Sequence, residues 1–204
     1  MWSTAHENQF VIFISLFIFS YLAASLNFSI ILFRFSGKSD PRSRFSKNAG
    51  ATNVYRQAGL WYALIVLILD MGRGMGIVLL SGCFLREDLV PVVGLGLVLG
   101  NSFPCFHHFQ GGKGVATWLG FTAGIAPVYA GISVLVWIGI YMVCKTPFIS
   151  SFAMILILSM GIMIHLEWAP FSVAGSLSTL TLIYFNHRSN VTAWRHGSGH
   201  HNGT

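Results

Sequence analysis

Charged side chains are scarce in this chain of 204 residues: Asp, Glu, Lys and Arg make up 9% of it, against roughly 25% in ordinary soluble domains. A soluble fold with so little charge would be left with an apolar surface, so a lipid bilayer is the solvent the composition calls for. Cysteine is sparse too. Cys83, Cys105 and Cys144 form no CxxC pair and no ligand cluster, which speaks against a disulfide framework or a zinc module. Each falls in or beside an apolar stretch and is expected to be a small buried hydrophobe. No internal repeat and no low-complexity linker divides the chain, so one compact membrane domain over 1–204 is the simplest account.

Apolar sequence is what the chain has in abundance, at 54% hydrophobic and 14% aromatic residues. Residues 10–33 contain no charged side chain and as a helix would cross a ~30 Å hydrocarbon core. The stretch lacks the basic leader and small-residue cleavage pattern of a signal peptide, so it is read as a retained first span. Further apolar runs lie near 59–84, 91–106, 115–129, 131–143, 148–165 and 170–185. The expected fold is an all-α integral membrane protein with about seven transmembrane helices. The stretch 115–143 is short for two spans and could equally be one segment kinked at Pro127.

The net charge of +6 would suggest nucleic acid or acidic lipid as the partner of a soluble protein; in a membrane protein its distribution sets topology. Ten of the twelve basic residues are Arg34, Lys38, Arg42, Arg44, Lys47, Arg56, Lys113, Lys145, Arg188 and Arg195. With seven crossings all ten fall on one face, whereas the other carries Arg86 with Glu7, Glu87, Asp88 and Glu167. The positive-inside rule then puts the N-terminus outside and the C-terminus in the cytoplasm. Six crossings would put Lys145 and the C-terminal tail outside, a poorer fit. Asp70 and Arg73 lie within a span, three residues apart and so on one helix face, and read as a structural pair tying the bundle. The tail 196–204 is polar and glycine-rich and is expected to fray, with no metal site assigned to its histidines.

Three polar segments on the basic face are rich in donors for anionic oxygen. In the first, 39–59, the basic residues near Arg34 read as topology determinants, but NAGATN opening a helix would leave free N–H groups at a positive dipole end. Arg56 would lie about one turn further along, suited to bidentate phosphate contact. In the second, 100–117, FQGGKGVAT departs from the phosphate loop GxxxxGK[ST], because Gly114 follows Lys113. Gly111, Gly112 and Gly114 would still let backbone approach an anion that Lys113 neutralises; the alternative is a helix-breaking topology signal. In the third, 186–197, His187, Arg188 and Asn190 read either as an interfacial anchor or as ligands. The glycines of GLGLVLG at 94–100 sit in an apolar run and read as helix-packing positions.

Together these segments resemble one family, the bacterial acyl-phosphate:glycerol-3-phosphate acyltransferases. The family's D-x-R-x-x-G-S-G-N-x-G-A-T-N-x-x-R-x-x-G is matched by Asp40, Arg42, Ser46, Asn48, Gly50, Ala51, Thr52, Asn53, Arg56 and Gly59. Its G-H-x-F-P and F-K-G-G-K-G-V-A-T are matched by Gly100, Phe103, Pro104, Phe109 and all of 111–117. The third motif, R-H-x-x-N-I-x-R-L-x-x-G-x-E, keeps only His187, Asn190 and Gly197; Asn186, Ala193 and Gly199 replace its two arginines and glutamate. Asp70 and Gly74 fit the family's D-x-x-K-G with Arg73 for lysine, and Ser25 resembles the serine of its first-helix Gly-Ser-x-Pro. Phe45 and Lys47 replace two glycines, and Asn101 replaces a histidine, which removes any titrating role at 101.

The resemblance implies an enzyme that moves a fatty acyl group from acyl phosphate to glycerol 3-phosphate at the cytoplasmic side of the bacterial inner membrane. It implies no cofactor, no metal and no nucleic acid. The expected partners are the two substrates and membrane lipid, with the chain a monomer supplied by an acyl-phosphate-producing enzyme. A mixed anhydride is already activated, consistent with the absence of HxxxxD and GxSxG motifs. The expected catalytic residues are Lys113, Arg56, Ser46 and His187. Asn48, Thr52, Asn53, Gly111, Gly112, Gly114, Arg188 and Asn190 are expected to bind substrate. Either His187 or the substrate phosphate would take the hydroxyl proton. The competing readings are a small organic-anion transporter and a non-catalytic lipid-binding protein.

Overall fold

The computed structural model describes residues 2–196, with side chains described from residue 8 onward. The expected frayed tail lies outside the described residues except for His196, which ends the last helix. All regular elements among the described residues are helical. In order they are α1 (Trp2–Ser25), α2 (Phe28–Phe35), α3 (Ala51–Ala58), α4 (Leu60–Gly82), α5 (Val90–Ser102), α6 (Val115–Ile125), α7 (Pro127–Cys144), α8 (Pro147–His165), α9 (Pro170–Asn186) and α10 (Arg188–Arg195), with short 3-10 turns in the loops.

Among the described residues, five segments are long and apolar enough to cross a bilayer: Asn8–Phe35, Leu60–Gly82, Glu87–His107, Pro127–Cys144 and Pro147–His165. The α6 helix, at 11 residues, rises only about 16 Å. Exposed Phe10, Val11, Ile18, Val128, Leu135 and Val143 give α1 and α7 an apolar outer surface that lipid, not water, would tolerate.

Contacts between helices set their directions. Phe17, Tyr21 and Ser25 of α1 meet Gly96, Gly100 and Cys105 in turn, so α1 and α5 run parallel. Met71 meets Gly120, and Met75 meets Gly124, so α4 and α6 run parallel. Tyr129 packs on Gly161 and Trp137 hydrogen-bonds Ser151, so α7 and α8 form an antiparallel hairpin. Pro91 meets Gly175 and Ser102 meets Asn186, so α9 runs parallel to α5. The core between them is sealed by Trp118 and Phe121, stacked at 5.3 Å, with Leu97, Ile155, Leu158 and Ile162. The glycines of 94–100 act as the packing positions expected of them: a Cβ on Gly94, Gly96 or Gly100 would strike α6 or α1.

Three expectations change. The first apolar span is two helices, because Asn27 caps α2 by accepting from Ile30 N and donates to Ala49 O; its amide competes with the helical ladder. The 115–143 stretch divides at Ala126 (φ −132°), four residues earlier than the apolar runs suggested, with Pro127 opening α7. Cysteines 83 and 144 are exposed at helix ends and Cys105 is half-buried, so none is a buried core residue.

Candidate active site

The three polar segments meet at one end of the bundle. This end gathers the C-termini of α1, α5 and α9 with the N-termini of α4 and α6. Arg42 staples the first two segments: its guanidinium pairs with Asp40 at 2.6 Å and donates to the carbonyls of His107 and Gln110 at 2.9 and 2.8 Å. The Arg42 hydrogen bond holds the Asp40 carboxyl below its ordinary range. A second tie runs from Ala49 N to Gly111 O at 3.3 Å.

Asn53 is 1% exposed and organises the first loop from inside. Its amide donates to Pro41 O and Asn48 O at 2.7 and 2.9 Å and accepts from Ser46 N at 3.3 Å. The expected ligand Asn53 is therefore committed to folding the loop that carries Ser46 and Asn48. Gly50 caps α3 without a side chain, and the amides of Ala51 and Thr52 find no acceptor among the described residues. Thr52 and Arg56 are exposed, one helical turn apart, on the face opposite buried Val54.

Two of the three loop glycines do not offer their amides outward. Gly111 N donates to Ser102 O at 3.1 Å and Gly112 N to Asn101 O at 2.9 Å. What their missing side chains allow is close approach: a Cβ on Gly111 would overlap Asn101 O, and one on Gly112 would sit 2.8 Å from Ala49 O. Gly114 takes φ +89°, a left-handed conformation that caps α6. The amides of Lys113 and Gly114, and those opening α6, stay free of acceptors among the described residues.

Lys113 is half-buried and donates to Asn190 Oδ1. Burial, with the charge of nearby Arg56, lowers its pKa to about 8. The salt bridges of the described residues join Arg42 to Asp40, Arg73 to Asp70 and Arg86 to Asp88, so Lys113 and Arg56 have no acidic partner there. His187, 3% exposed, has its Nδ1 2.8 Å from Ile183 O. A carbonyl only accepts, so Nδ1 carries the proton and Nε2 keeps its lone pair. Burial and the Lys113 charge push its pKa down to about 4, leaving the ring neutral at physiological pH.

Arg188 is not drawn into this cluster: it is exposed, donates to Phe185 O at 3.2 Å and lies over the Phe185 ring at 4.1 Å. Conversely, Asn186 was not among the expected site residues. Its amide donates to Ser102 Oγ at 2.8 Å and to Lys113 O at 3.4 Å, tying the end of α9 to the lysine loop. A polar residue closing an apolar helix was the available signal. Ser25, fully buried, accepts from Cys105 N at 3.3 Å beneath the second loop.

A sequence profile described as Glycerol-3-phosphate acyltransferase matches residues 14–197. The chain belongs to the glycerol-3-phosphate acyltransferase family. A relative of that name from Pseudomonas fluorescens (strain Pf-5) is 38% identical over 178 residues, covering 85% of this chain and 91% of its own length. Among solved structures, the glycerol 3-phosphate form of PlsY, an integral membrane glycerol 3-phosphate acyltransferase, superposes with a TM-score of 0.85 at 31% identity. It covers 92% of this chain and 94% of that one. The lysophosphatidic acid form gives 0.83 at 30% identity over the same shares. The protein is thus a multi-pass membrane acyltransferase, and the two loops richest in this acyltransferase's unpaired donors are those whose motifs carried the resemblance.

Proposed function

We propose that the protein transfers a fatty acyl group from acyl phosphate to the sn-1 hydroxyl of glycerol 3-phosphate. The hydroxyl oxygen bonds to the acyl carbon, the bond from that carbon to the phosphate oxygen breaks, and the hydroxyl proton leaves with inorganic phosphate. The products are lysophosphatidate and phosphate, at the start of phospholipid synthesis. The observation that carries this reading is the pair of cations, Lys113 and Arg56, which have no acidic partner among the described residues and lie beside loop and helix-start amides that find no acceptor there. Such a site is completed by anionic oxygen.

Lys113 and Arg56 neutralise the two phosphates and the charge that develops on the acyl oxygen and leaving group. Ser46, Asn48, Thr52 and the amides from Lys113 onward hold the phosphates, with Asn53, Gly111 and Gly112 shaping the loops that present them. Arg188 would join the site only by leaving the Phe185 ring. Asn190 and His187 orient glycerol 3-phosphate, His187 accepting the hydroxyl at Nε2. A ring with a pKa near 4 is a weak base, which favours proton transfer to the substrate phosphate. His187→Gln, which keeps an acceptor, is then expected to hold turnover at saturating substrate within about tenfold; removing a true general base would cost roughly 10²- to 10⁴-fold.

The alternating helix directions and the basic residues gathered at the site end support seven crossings, with the N-terminus outside and the site facing the cytoplasm of a bacterial inner membrane. We read the chain as one acyltransferase domain acting as a monomer on acyl phosphate made by a partner enzyme. The transporter reading predicts polar groups along a path through the bilayer; the intramembrane charges here are the mutually paired Asp70 and Arg73. The test is acyl transfer by purified protein from palmitoyl phosphate to labelled glycerol 3-phosphate. Failure with an intact, folded preparation would sink this reading and leave the lipid-binding one.

Protonated Lys113 attracts the anions, so kcat/KM is expected to fall as pH rises through about 8. The sign follows from loss of the cation above its pKa, and the position, below that of an ordinary lysine, from burial favouring the neutral amine. Lys113→Arg should move that limb beyond the measurable range, because guanidinium stays charged. An unmoved limb would assign it to another group.

A further inference from the structure

Asn101 closes α5 at 3% exposure, directly behind the lysine loop. Its backbone carbonyl accepts from Gly112 N at 2.9 Å. Its side-chain Oδ1 accepts from Arg73 Nη2 at 2.9 Å, and the same nitrogen reaches Asp70 Oδ1 at 2.9 Å and Thr117 Oγ1 at 3.1 Å. Arg73 Nη1 donates to Leu26 O at 3.0 Å, so the guanidinium is held from four elements of the chain. A guanidinium has donors only. The oxygen of the Asn101 amide must therefore face Arg73, and the NH₂ must face the other way. That other side is the loop: a Cβ on Gly112 would come 2.8 Å from Asn101 Nδ2. Nδ2 has no hydrogen-bond partner among the described residues, yet it is not among the side-chain atoms sealed from solvent without one.

We propose that Asn101 Nδ2 is a substrate contact, donating to an anionic phosphate oxygen held at 111–114, and that the Asp70–Arg73 pair is the device that keeps a donor rather than an acceptor facing that oxygen. The proposal rests on reading this loop as the phosphate cradle. Asn101 is then a binding residue in its own right, and Arg73 a positioning residue that acts through it. Because Arg73 is anchored on α4 and Asn101 on α5, the amide orientation is set by the bundle and not by the loop it serves.

Asn101→Asp is the decisive variant. It keeps the shape and the oxygen that meets Arg73, so thermal unfolding in detergent should be unchanged or shifted upward. On the loop side it replaces a donor by a negative oxygen, and kcat/KM is expected to fall on the order of 10²-fold, mostly through KM. Measuring KM for glycerol 3-phosphate and for acyl phosphate separately tells which phosphate is touched. A folded aspartate variant with wild-type values for both overturns the proposal. Arg73→Lys provides a second route if the aspartate variant fails to fold, since one ammonium cannot hold both Asp70 and the amide in the same geometry. It should raise the same KM by several-fold, and unchanged values would remove the orienting role. Protection of the wild type against heat by glycerol 3-phosphate, without acyl donor, gives a readout apart from turnover. A wild type that binds but does not turn over, with protection lost in the aspartate variant, would sink the enzyme reading and leave this contact standing.

Discussion

Replacing Lys113 by alanine is expected to lower turnover by roughly 100-fold or more while leaving the fold as stable as the wild type or slightly more so. The two halves of this expectation come from one observation. In the free protein the ammonium is half-buried, and burial together with the like charge of Arg56 lowers its pKa to about 8. Its hydrogen bond to Asn190 is the compensation it has. Removing it relieves desolvation and repulsion in the empty site, so stability has little to lose. In the occupied site the same cation faces charge on the transferring group, in a half-enclosed setting where water screens it poorly. Single-turnover and steady-state acyl transfer, set beside thermal unfolding, check both halves. If the lysine is only a topology signal, the alanine variant inserted in the same orientation will retain full activity.

Asp70→Asn should have the largest effect on stability, about 3–5 kcal/mol, read as a drop in melting temperature on the order of 10 °C. The two side chains are 8% and 6% exposed, for Asp70 and Arg73, and 2.9 Å apart within the bundle. Neutralising the carboxylate leaves the guanidinium buried without a counter-charge, and Arg73 Nε already lacks a partner among the described residues. Replacing both partners by apolar residues often restores stability. Here Asp70→Leu with Arg73→Met should restore only part, because Asn101, Thr117 and Leu26 O would each lose the donor that Arg73 supplies. A double variant as stable as the wild type would show that those three contacts contribute little. An unchanged melting temperature for Asp70→Asn alone would show that the pair is not what holds α4 against its neighbours.

Much of the site was legible in the chain because its motifs are local. NAGATN and GGKG carry their donors within a few consecutive residues, and the structure does put Arg56, Lys113, His187 and Asn190 in one place. Spacing could not say which donors point outward. The amides of Gly111 and Gly112 turn inward to the end of α5, and Asn53 turns back into its own loop, because acceptors 5 to 12 residues away along the chain or on another helix reach them first. The single span over 10–33 stands as one membrane-crossing segment, but its break into two helices was not legible for the same reason: hydropathy registers lipid exposure, which continues across Asn27, and not the side chain that caps a new helix there.

By itself the sequence determined the solvent and the local chemistry: too little charge for water, and two donor-rich loops spaced along apolar runs. Those properties are sums over neighbouring residues, and any fold of this chain would inherit them. Only the tertiary structure decided that Asp70 and Arg73 would reach Asn101, that Asn186 would hold the Lys113 backbone, and that His187 would be neutral with Nε2 free. Each of these depends on which buried polar groups meet across helices, where an unpaired donor or acceptor is costly enough to dictate every partner's orientation.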